Sequence, residues 1–508
     1  MPFLIENILN TVVWLIALGG AGLAIFVIAA VQRRVRRGQF FRGLDAARVR
    51  AQHQLQRLHE HPDRLKELIP ELKSFKNEAE WQAIGDVFLD RPAPGVNFEL
   101  VRTVAVELGW IREWIEVLRC RRKRTGGRLD QMLKEMGDTY EAPMGVQRLL
   151  MLWKTNFMER CMAAKRLSQV PTPEGMIALL AGTEDPDEEV REVCIRKLGQ
   201  IGDPATLPVL IEELVQVLEG KSPLSVRTLK SSLILFALDE MDGFREALVH
   251  PNRRVRFFAT DIIREVAQRQ ALKEQLGKND FSPEVYRLFT ETLWKDEWAD
   301  VRARAAPVIA HFNDANSARI LGQLLEDDTW FVRLHTARAI TSRFYISLVP
   351  ALAKRLTDAH WLVREAAVHS LGQMGDVGIN ESFRAFLTTR DTYAAEQIAE
   401  TLQRDGTLVN MLSSLTQISS EQEYQRARAV ARRMIQLGKT TLLQSYLVVP
   451  SPRTLKLMLI EELSGSISAS YLQVLQACSE TDSDPEVRTA ATGVFQSASS
   501  LLLRQQKN

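Results

Sequence analysis

The sequence predicts an all-α protein, an α-solenoid of helix pairs preceded by a single transmembrane helix. Two features predict this fold: an uncharged apolar stretch of 20 residues, Val12 to Val31, and a helical pattern that recurs about every 31 residues afterwards. The composition agrees with it, because 508 residues with 45% hydrophobic and 25% charged side chains can bury a large core and are not typical of a disordered chain.

The apolar stretch predicts a membrane anchor. Twenty residues at about 1.5 Å each match the hydrocarbon thickness of about 30 Å. Glu6 is the only charged side chain before the stretch, whereas eight arginines follow it between Arg33 and Arg57. The positive-inside rule therefore places residues 1–11 outside the cytoplasm and the residues after Val31 inside it. We expect the membrane to be a bacterial-type inner (plasma) membrane. The alternative is a cleaved signal peptide, which would carry its basic residues before the apolar stretch.

The basic residues near this predicted anchor could bind anionic lipid headgroups. A second basic run, Arg119 to Arg124, precedes the Gly126-Gly127 pair, and its alternatives are a solvated helix end, a phosphorylated partner or a nucleic-acid contact. Gly20 and Ala24 form a small-xxx-small pair that would allow self-association of the span. The candidate lipid contacts are Arg33, Arg34, Arg36, Arg37, Arg121, Arg122, Lys123 and Arg124.

The repeated pattern starts with a Val-Arg pair, has a small residue four positions later and an apolar residue eight positions later. Val301, Val332 and Val363 begin copies that are 31 residues apart. Offsets of 0, 4 and 8 lie on one face of a helix, and a second apolar helix precedes each copy. Further copies begin at Val190, Val255 and Val487, with degenerate ones at Glu159, Val226 and Ala395. Such a helix-turn-helix period predicts an α-solenoid.

These segments resemble HEAT repeats, most closely the short bacterial type also found in phycobilisome-lyase-like proteins. The best copies are Asp358 to Gly372 and Glu188 to Gly199. The resemblance implies a ladder in which an Arg of one repeat pairs with an Asp of the next. It assigns that structural role to Arg191, Arg256, Arg302, Arg333, Arg364 and Arg488.

The pattern divides the chain into a basic linker and three helical parts. Residues 32–57 form the linker or a juxtamembrane helix, and residues 58–158 are a divergent helical start of the solenoid. Residues 159–403 hold the clear HEAT-like repeats, and residues 404–508 hold degenerate repeats and a cap. Divergent end units are expected where an array must be capped.

Catalytic and metal-binding motifs are missing from the sequence. His59-Glu60-His61 has the wrong spacing for two ligands on one helix face, and no phosphate-binding loop or GxSxG elbow occurs. The four cysteines lie at least 33 residues apart, so neither a disulfide framework nor a zinc site is expected. We expect no cofactor and no enzymatic activity.

Four aromatic residues recur just before the Val-Arg position, at spacings of 32, 31 and 32 residues. In a stacked array they would form a column, and exposed Trp and Tyr are favoured anchors for a protein partner. The alternative, which the sequence favours, is that each ring packs within its own repeat. The column consists of Trp298, Trp330, Trp361 and Tyr393.

Together these features predict a membrane-anchored cytoplasmic scaffold or adaptor that binds a protein partner. A helper of a membrane-bound envelope or polysaccharide-synthesis complex is one version of this prediction. The alternatives are a bilin-lyase-like HEAT enzyme, which the repeat type permits, and a basic adaptor for nucleic acid. Balanced charge, with 65 Lys+Arg against 63 Asp+Glu, disfavours the nucleic-acid alternative.

Overall fold

The computed structural model describes residues 98–119, 155–415, 420–465 and 468–505, together with 42–58 and the positions 34, 35, 39, 60, 61, 67, 69–71 and 87. Within these residues the secondary structure is helical and contains no strand, which confirms the all-α part of the predicted fold class. Among them, no helix is both long and apolar enough to cross a membrane. The predicted anchor, Val12 to Val31, lies outside the described residues.

The chain divides into two compact units, residues 1–235 and 236–508. In the first unit, residues 42–58 are helical. Its later helices are α1 (Phe98–Glu107), α2 (Trp110–Arg119), α3 (Thr155–Gln169), α4 (Pro173–Gly182), α5 (Glu188–Ile201), α6 (Leu207–Leu218) and α7 (Val226–Leu233).

The second unit also consists of paired helices. Its helices are α8 (Arg245–Leu248), α9 (Arg253–Ala271), α10 (Pro283–Glu291), α11 (Ala299–His311), α12 (Ala315–Leu324), α13 (Trp330–Ala339), α14 (Val349–Arg355), α15 (Trp361–Gln373), α16 (Asp376–Thr388), α17 (Thr392–Arg404), α18 (Thr407–Ser413), α19 (Glu421–Gln436), α20 (Thr440–Val448), α21 (Arg453–Leu463), α22 (Ala469–Thr481) and α23 (Pro485–Gln505).

Polar side chains start many of these helices by accepting a hydrogen bond from an amide that has no partner inside the helix. Thr172 caps α4 through the Gly175 amide, and Ser282 caps α10 through the Val285 amide. Asp314, Asp391 and Ser468 do the same for α12, α17 and α22. Turns between repeated helices are therefore specified locally by the sequence.

The repeated apolar face is the core of both units. The residues at the first pattern position are buried in every copy from Val190 to Val487 except the degenerate copy at Val226, which is half-buried. Small residues at the second position, such as Ala305 and Ala367, are also buried. They let the helices that carry the pattern, here called second helices, pack against one another: α3, α5 and α7 in the first unit, and α9, α11, α13, α15 and α17 in the second.

Two features of the second unit complete the repeat pattern. The interval between Val255 and Val301 is 46 residues, and its extra length lies in the extended helix α9, which runs to Ala271, and in a connection before α10 that contains a short 3-10 turn. Between Ala395 and Val487, two further copies begin at Ala427 and Leu455, whose side chains are fully buried. Degenerate repeats were predicted for residues 404–508, but these two copies were not located from the sequence.

Candidate binding surface

The turn before each second helix is fixed by an Arg–Asp ladder. Arg302 donates to Asp327 through Nε (2.8 Å) and Nη2 (2.9 Å). One repeat later, Arg333 makes the same two bonds to Asp358, both at 2.8 Å. Arg256 pairs with Asp296 across the enlarged repeat, at 2.6 and 3.0 Å. Paired bonds of this kind fix the relative orientation of the two groups as well as their distance.

Each ladder arginine also holds the turn that precedes its own helix. The Nη1 group of Arg333 donates to the carbonyl oxygens of Asp327 (2.7 Å) and Asp328 (3.1 Å). Burial alone would raise the pKa of Asp327, but hydrogen bonds from Arg302 and from the Thr329 amide lower it below its ordinary value. The carboxylate therefore stays ionised, and each arginine ties its own turn to the turn of the next repeat.

The ladder lacks its carboxylate at three of the residues that the resemblance assigns to it. Arg364 donates to the Gln397 side chain at 2.7 Å instead of to an acid. Arg191 and Arg488 donate to backbone carbonyl oxygens of their own turns, at 2.7 Å to Asp185 and 2.6 Å to Asp482. These three arginines fix turns without a carboxylate bridge to the next repeat among the described contacts.

Two ladder members are not among the residues assigned from the sequence. Arg160 forms a buried ion pair with Asp185 (3.0 Å) in the first unit. Lys456 takes the place of arginine in the second unit and pairs with Asp482 at 2.6 Å. In both pairs the acid lies 25 or 26 residues after the cation, close to the 25 residues of the Arg302 and Arg333 bridges, and that spacing was the signal that could have identified them.

The column of aromatic residues lies at the amino ends of α11, α13, α15 and α17. The four side chains are exposed by 39% at Trp298, 38% at Trp330, 55% at Trp361 and 77% at Tyr393. We call these four residues the aromatic stripe. Packing within each repeat, which the sequence favoured, therefore leaves a substantial part of every ring open to solvent.

Rings in the middle of the stripe stack across the repeat boundary. Trp330 of one repeat lies 3.7 Å from His360 of the next, with 5° between their planes. His360 is in turn 6.5 Å from Trp361, at 17°. At one end of the stripe, the Arg253 guanidinium lies 3.9 Å from the Trp298 ring centroid. Planar groups of this chain thus already occupy some faces of the stripe.

The ladder positions the stripe through the backbone. Asp296, which binds Arg256, also accepts a hydrogen bond from the Trp298 amide at 2.9 Å. Asp358, which binds Arg333, accepts one from the His360 amide at 3.0 Å. The same carboxylates therefore join the repeats and fix the backbone that carries the rings.

Ionisable groups elsewhere in the described residues do not form a recognisable reactive centre. Burial raises the pKa of Cys161 to about 11 and also raises the pKa of Cys194 and Cys478, so these thiols stay protonated. Burial lowers the pKa of His335 to about 4, with Arg304 contributing. No group of three or more His, Cys, Asp or Glu in this part of the chain is arranged to hold a metal ion.

Most of the candidate lipid contacts cannot be placed. Arg34 is described and exposed, whereas Arg33, Arg36, Arg37 and the run Arg121 to Arg124 lie outside the described residues. The Gly20 and Ala24 pair and His59 also lie outside them. The aromatic stripe and the Arg–Asp ladder are thus the predicted features that lie within the described residues.

Comparison of the sequence with protein families finds HEAT repeats in both units. Two HEAT-repeat families match, one over residues 148–217 and the other over residues 348–378. The chain therefore contains HEAT repeats. A search of curated proteins found no significant match.

Solved structures with a similar arrangement are distant in sequence. Kap121p is 15% identical, with a TM-score of 0.36 over 88% of this chain and 57% of its own. YibA of E. coli is 15% identical, with a TM-score of 0.25 over 74% of this chain and 99% of its own. Human deoxyhypusine hydroxylase is 15% identical, with a TM-score of 0.21 over 58% of this chain and 98% of its own. The chain thus spans little more than half of Kap121p, and these likenesses carry no argument about function.

Proposed function

We propose that this protein is a non-enzymatic scaffold that is anchored in a bacterial-type inner membrane by its amino-terminal apolar stretch and binds a protein partner on its cytoplasmic HEAT repeats. The observation that carries the proposal is the aromatic stripe, because four large rings at equivalent positions of successive repeats remain exposed. Isolated exposed apolar residues are ordinary, but a regular row of Trp and Tyr is typical of an interaction surface.

Rigid positioning of the rings supports binding over chance exposure. The ladder carboxylates Asp296 and Asp358 hold the backbone at Trp298 and His360. A partner that meets fixed rings loses less conformational freedom on binding than one that must order them. Repeats that stack in a row also offer an extended surface, which suits recruitment of another protein.

Three features support the absence of catalysis and the membrane location. The described cysteines are held as protonated thiols, which are poor nucleophiles. The apolar stretch from Val12 to Val31 has the length of a membrane span, and the arginines after it have the distribution of a cytoplasmic flank. A helper of an envelope or polysaccharide-synthesis complex is the version of this role that we favour.

The proposal is tested by crosslinking in the cells that produce the protein, followed by co-purification of the detergent-solubilised full-length chain. We expect one stoichiometric membrane-associated partner, which is lost from the variant Trp361→Ala and retained by Phe344→Ala. Phe344 is a matched control because it is 51% exposed but follows the carboxyl end of α13, away from the stripe.

The same material separates the alternatives. Recovery of a partner in equal yield from both variants would remove the stripe from the proposed function. Turnover of a bilin or another small molecule without a partner would replace the scaffold by an enzyme. Cysteine labelling from outside the cell that reaches the repeats would overturn the cytoplasmic location.

A further inference from the structure

We propose that the open faces of the aromatic stripe bind the guanidinium groups of arginine side chains on an extended segment of the partner. This inference rests on the proposed function, which it deepens by naming the chemistry of the partner. It depends on three properties of the second unit: the groups that already lie on the rings, the spacing of the rings, and the charges around them.

The chain itself shows which group the rings accept. The guanidinium carbon of Arg253 lies 3.9 Å from the centroid of the Trp298 ring, well within the distance at which a cation is attracted to an aromatic face. One repeat boundary further, the flat imidazole of His360 lies against Trp330 at 3.7 Å and 5°. Both occupants are planar nitrogen-containing groups, and arginine is the common side chain that offers such a plane together with a permanent charge.

The remaining ring faces are open. Trp361 has His360 at 6.5 Å and is 55% exposed, and Tyr393 at the next repeat is 77% exposed. The centroid distances through His360 place Trp330 and Trp361 at most about 10 Å apart, which agrees with the usual spacing of packed helices. A single planar group fills such an interval, as the His360 ring does between these two tryptophans.

The spacing of the rings also suits an extended peptide. A polyproline II chain advances about 3.1 Å per residue and completes a turn every three residues, so side chains at every third position lie on one side and about 9 Å apart. Side chains at every third position of such an extended partner would therefore meet successive rings of the stripe. An α-helix advances about 1.5 Å per residue and needs about seven residues for the same distance, so it presents fewer of its side chains to the rings.

Charges beside Trp298 and Trp330 favour a basic partner. Asp300 and Asp328 are exposed beside the rings of α11 and α13, whereas the exposed Glu297 lies 3.6 Å from Arg256. The arginines on the same turns, Arg302 and Arg333, are already paired with the ladder carboxylates. Exposed basic residues, Arg253 and Arg254, gather at one end, where Arg253 already covers Trp298. The surface beside Trp298 and Trp330 thus combines partly exposed rings with the exposed carboxylates of Asp300 and Asp328.

The test uses a synthetic peptide with arginine at every third position and glycine and serine between. Two matched peptides carry lysine or citrulline in place of arginine, since lysine keeps the charge without the plane and citrulline keeps the plane without the charge. Binding to the full-length protein in detergent is followed by calorimetry and by the indole NH resonances of the tryptophans. The protein variants are Trp361→Ala and Tyr393→Leu, with Phe344→Ala as control.

We expect the arginine peptide to bind at least tenfold more tightly than the lysine peptide and the citrulline peptide not to bind detectably. Trp361→Ala and Tyr393→Leu should each weaken the arginine peptide several-fold, and Phe344→Ala should leave it unchanged. The variant His360→Asn keeps a residue that can cap α15 but removes the ring, and it should tighten binding by opening the face of Trp330.

Equal binding of the arginine and lysine peptides would overturn the inference, because charge alone would then account for it. Binding that is unaffected by Trp361→Ala and Tyr393→Leu would overturn it as well, and so would no binding of the arginine peptide. The proposed function can survive these results. If a partner requires Trp361 but still binds after its own arginines are replaced, the proposed scaffold function stands and the proposal of guanidinium binding is wrong.

Discussion

Arg333 and Asp358 form a bidentate ion pair that joins two successive repeats. The Nε and Nη2 atoms of Arg333 each lie 2.8 Å from an oxygen of Asp358, and the side chains are only 13% and 2% exposed. The Asp358 carboxylate also accepts the His360 amide, at 3.0 Å. Removal of either partner therefore leaves buried polar groups without hydrogen bonds, which is the main cost of breaking such a pair.

We expect Arg333→Gln to lower the local free energy of unfolding of α13 and α15 by about 2 kcal/mol, between the small effect of an exposed pair and the larger effect of a fully buried one. Hydrogen exchange of the full-length protein, read in peptides from these helices, measures the loss. The matched control is Arg287→Gln, because Arg287 pairs with Glu284 at 2.6 Å but is 56% exposed. Equal exchange in both variants would contradict a structural role for the ladder.

The stability of the second unit should also fall in mildly acidic solution because of His335. Burial, with contributions from Arg304, Arg338 and Arg264, lowers the pKa of His335 from 6.5 to about 4, and Asp261 opposes this shift. Above pH 6.5 the His335 side chain is neutral in both the folded and the unfolded state. As the pH falls towards about 4, the unfolded state binds a proton that the folded state excludes, so the free energy of unfolding decreases. The variant His335→Gln should flatten that part of the profile of stability against pH.

Urea unfolding of the full-length protein at several pH values measures the effect, with His369→Gln as the control. His369 lies on α15 and its side chain is 53% exposed, so it provides a more solvated histidine in the same array. If the slopes of the wild type and of His335→Gln agree between pH 6.5 and 4, the interpretation of the His335 environment is wrong.

The sequence predicted the helical repeats well because their cause is local. Helix packing requires buried residues at offsets 0, 4 and 8, and Val332, Thr336 and Ile340, which are all fully buried, meet this requirement visibly in the sequence. The copies at Ala427 and Leu455 were not located within the predicted degenerate repeats, where Ala-Arg and Leu-Lys replace the Val-Arg pair of the clearer copies. Lys456 shows the same limit, since a different cation makes the ladder bond.

Properties that depend on two repeats could not be predicted from one. Whether Trp330 covers its own helix or extends to the neighbour depends on the turn of the next repeat, where His360 provides a flat partner. The replacement of the ladder acid after Arg364 by Gln397 depends likewise on a residue 33 positions away. The candidate surface therefore became visible only when successive turns were placed side by side.

The contact between α15 and α16 predicts opposite effects at two neighbouring glycines. A Cβ atom on Gly378 would lie 2.0 Å from the Leu371 carbonyl oxygen, a backbone atom that cannot move away without disturbing α15. A Cβ atom on Gly372 meets nothing within 4 Å. We expect Gly378→Ala to destabilise the unit by 2 kcal/mol or more, of the order of about 1–3 kcal/mol for overpacking. Gly372→Ala should instead stabilise α15 by up to about 1 kcal/mol, since alanine is the better helix former.

Thermal unfolding of the two full-length variants, compared with the wild type, separates these outcomes. Melting temperatures that fall for both variants would show that Gly372 has a packing role that the structure does not reveal. Melting temperatures that are unchanged for both would contradict the close approach of the two helices at Gly378.

The missing carboxylate after Arg364 can be supplied by Thr389→Asp. Asp327 and Asp358 each lie 25 residues after their arginine, and Thr389 holds the same place relative to Arg364. Thr389 also makes the local bond of a ladder acid, because its hydroxyl accepts the Asp391 amide at 3.3 Å, as Asp358 accepts the His360 amide. A carboxylate there should attract Arg364 from Gln397 and stabilise the junction of α15 and α17 by about 1 kcal/mol.

A double-mutant cycle decides whether that gain comes from the ladder. Thr389→Asn preserves a side-chain acceptor for the Asp391 amide without the charge and should give less stabilisation than Thr389→Asp. In the Arg364→Gln background, the two substitutions should become equivalent, because the cation that distinguishes them is gone. Hydrogen exchange in α15 and α17 of the full-length protein measures each corner of the cycle. A gain from Thr389→Asp that persists without Arg364 would arise from the turn that precedes α17, and the ladder would then end at Asp358 for reasons other than the missing acid.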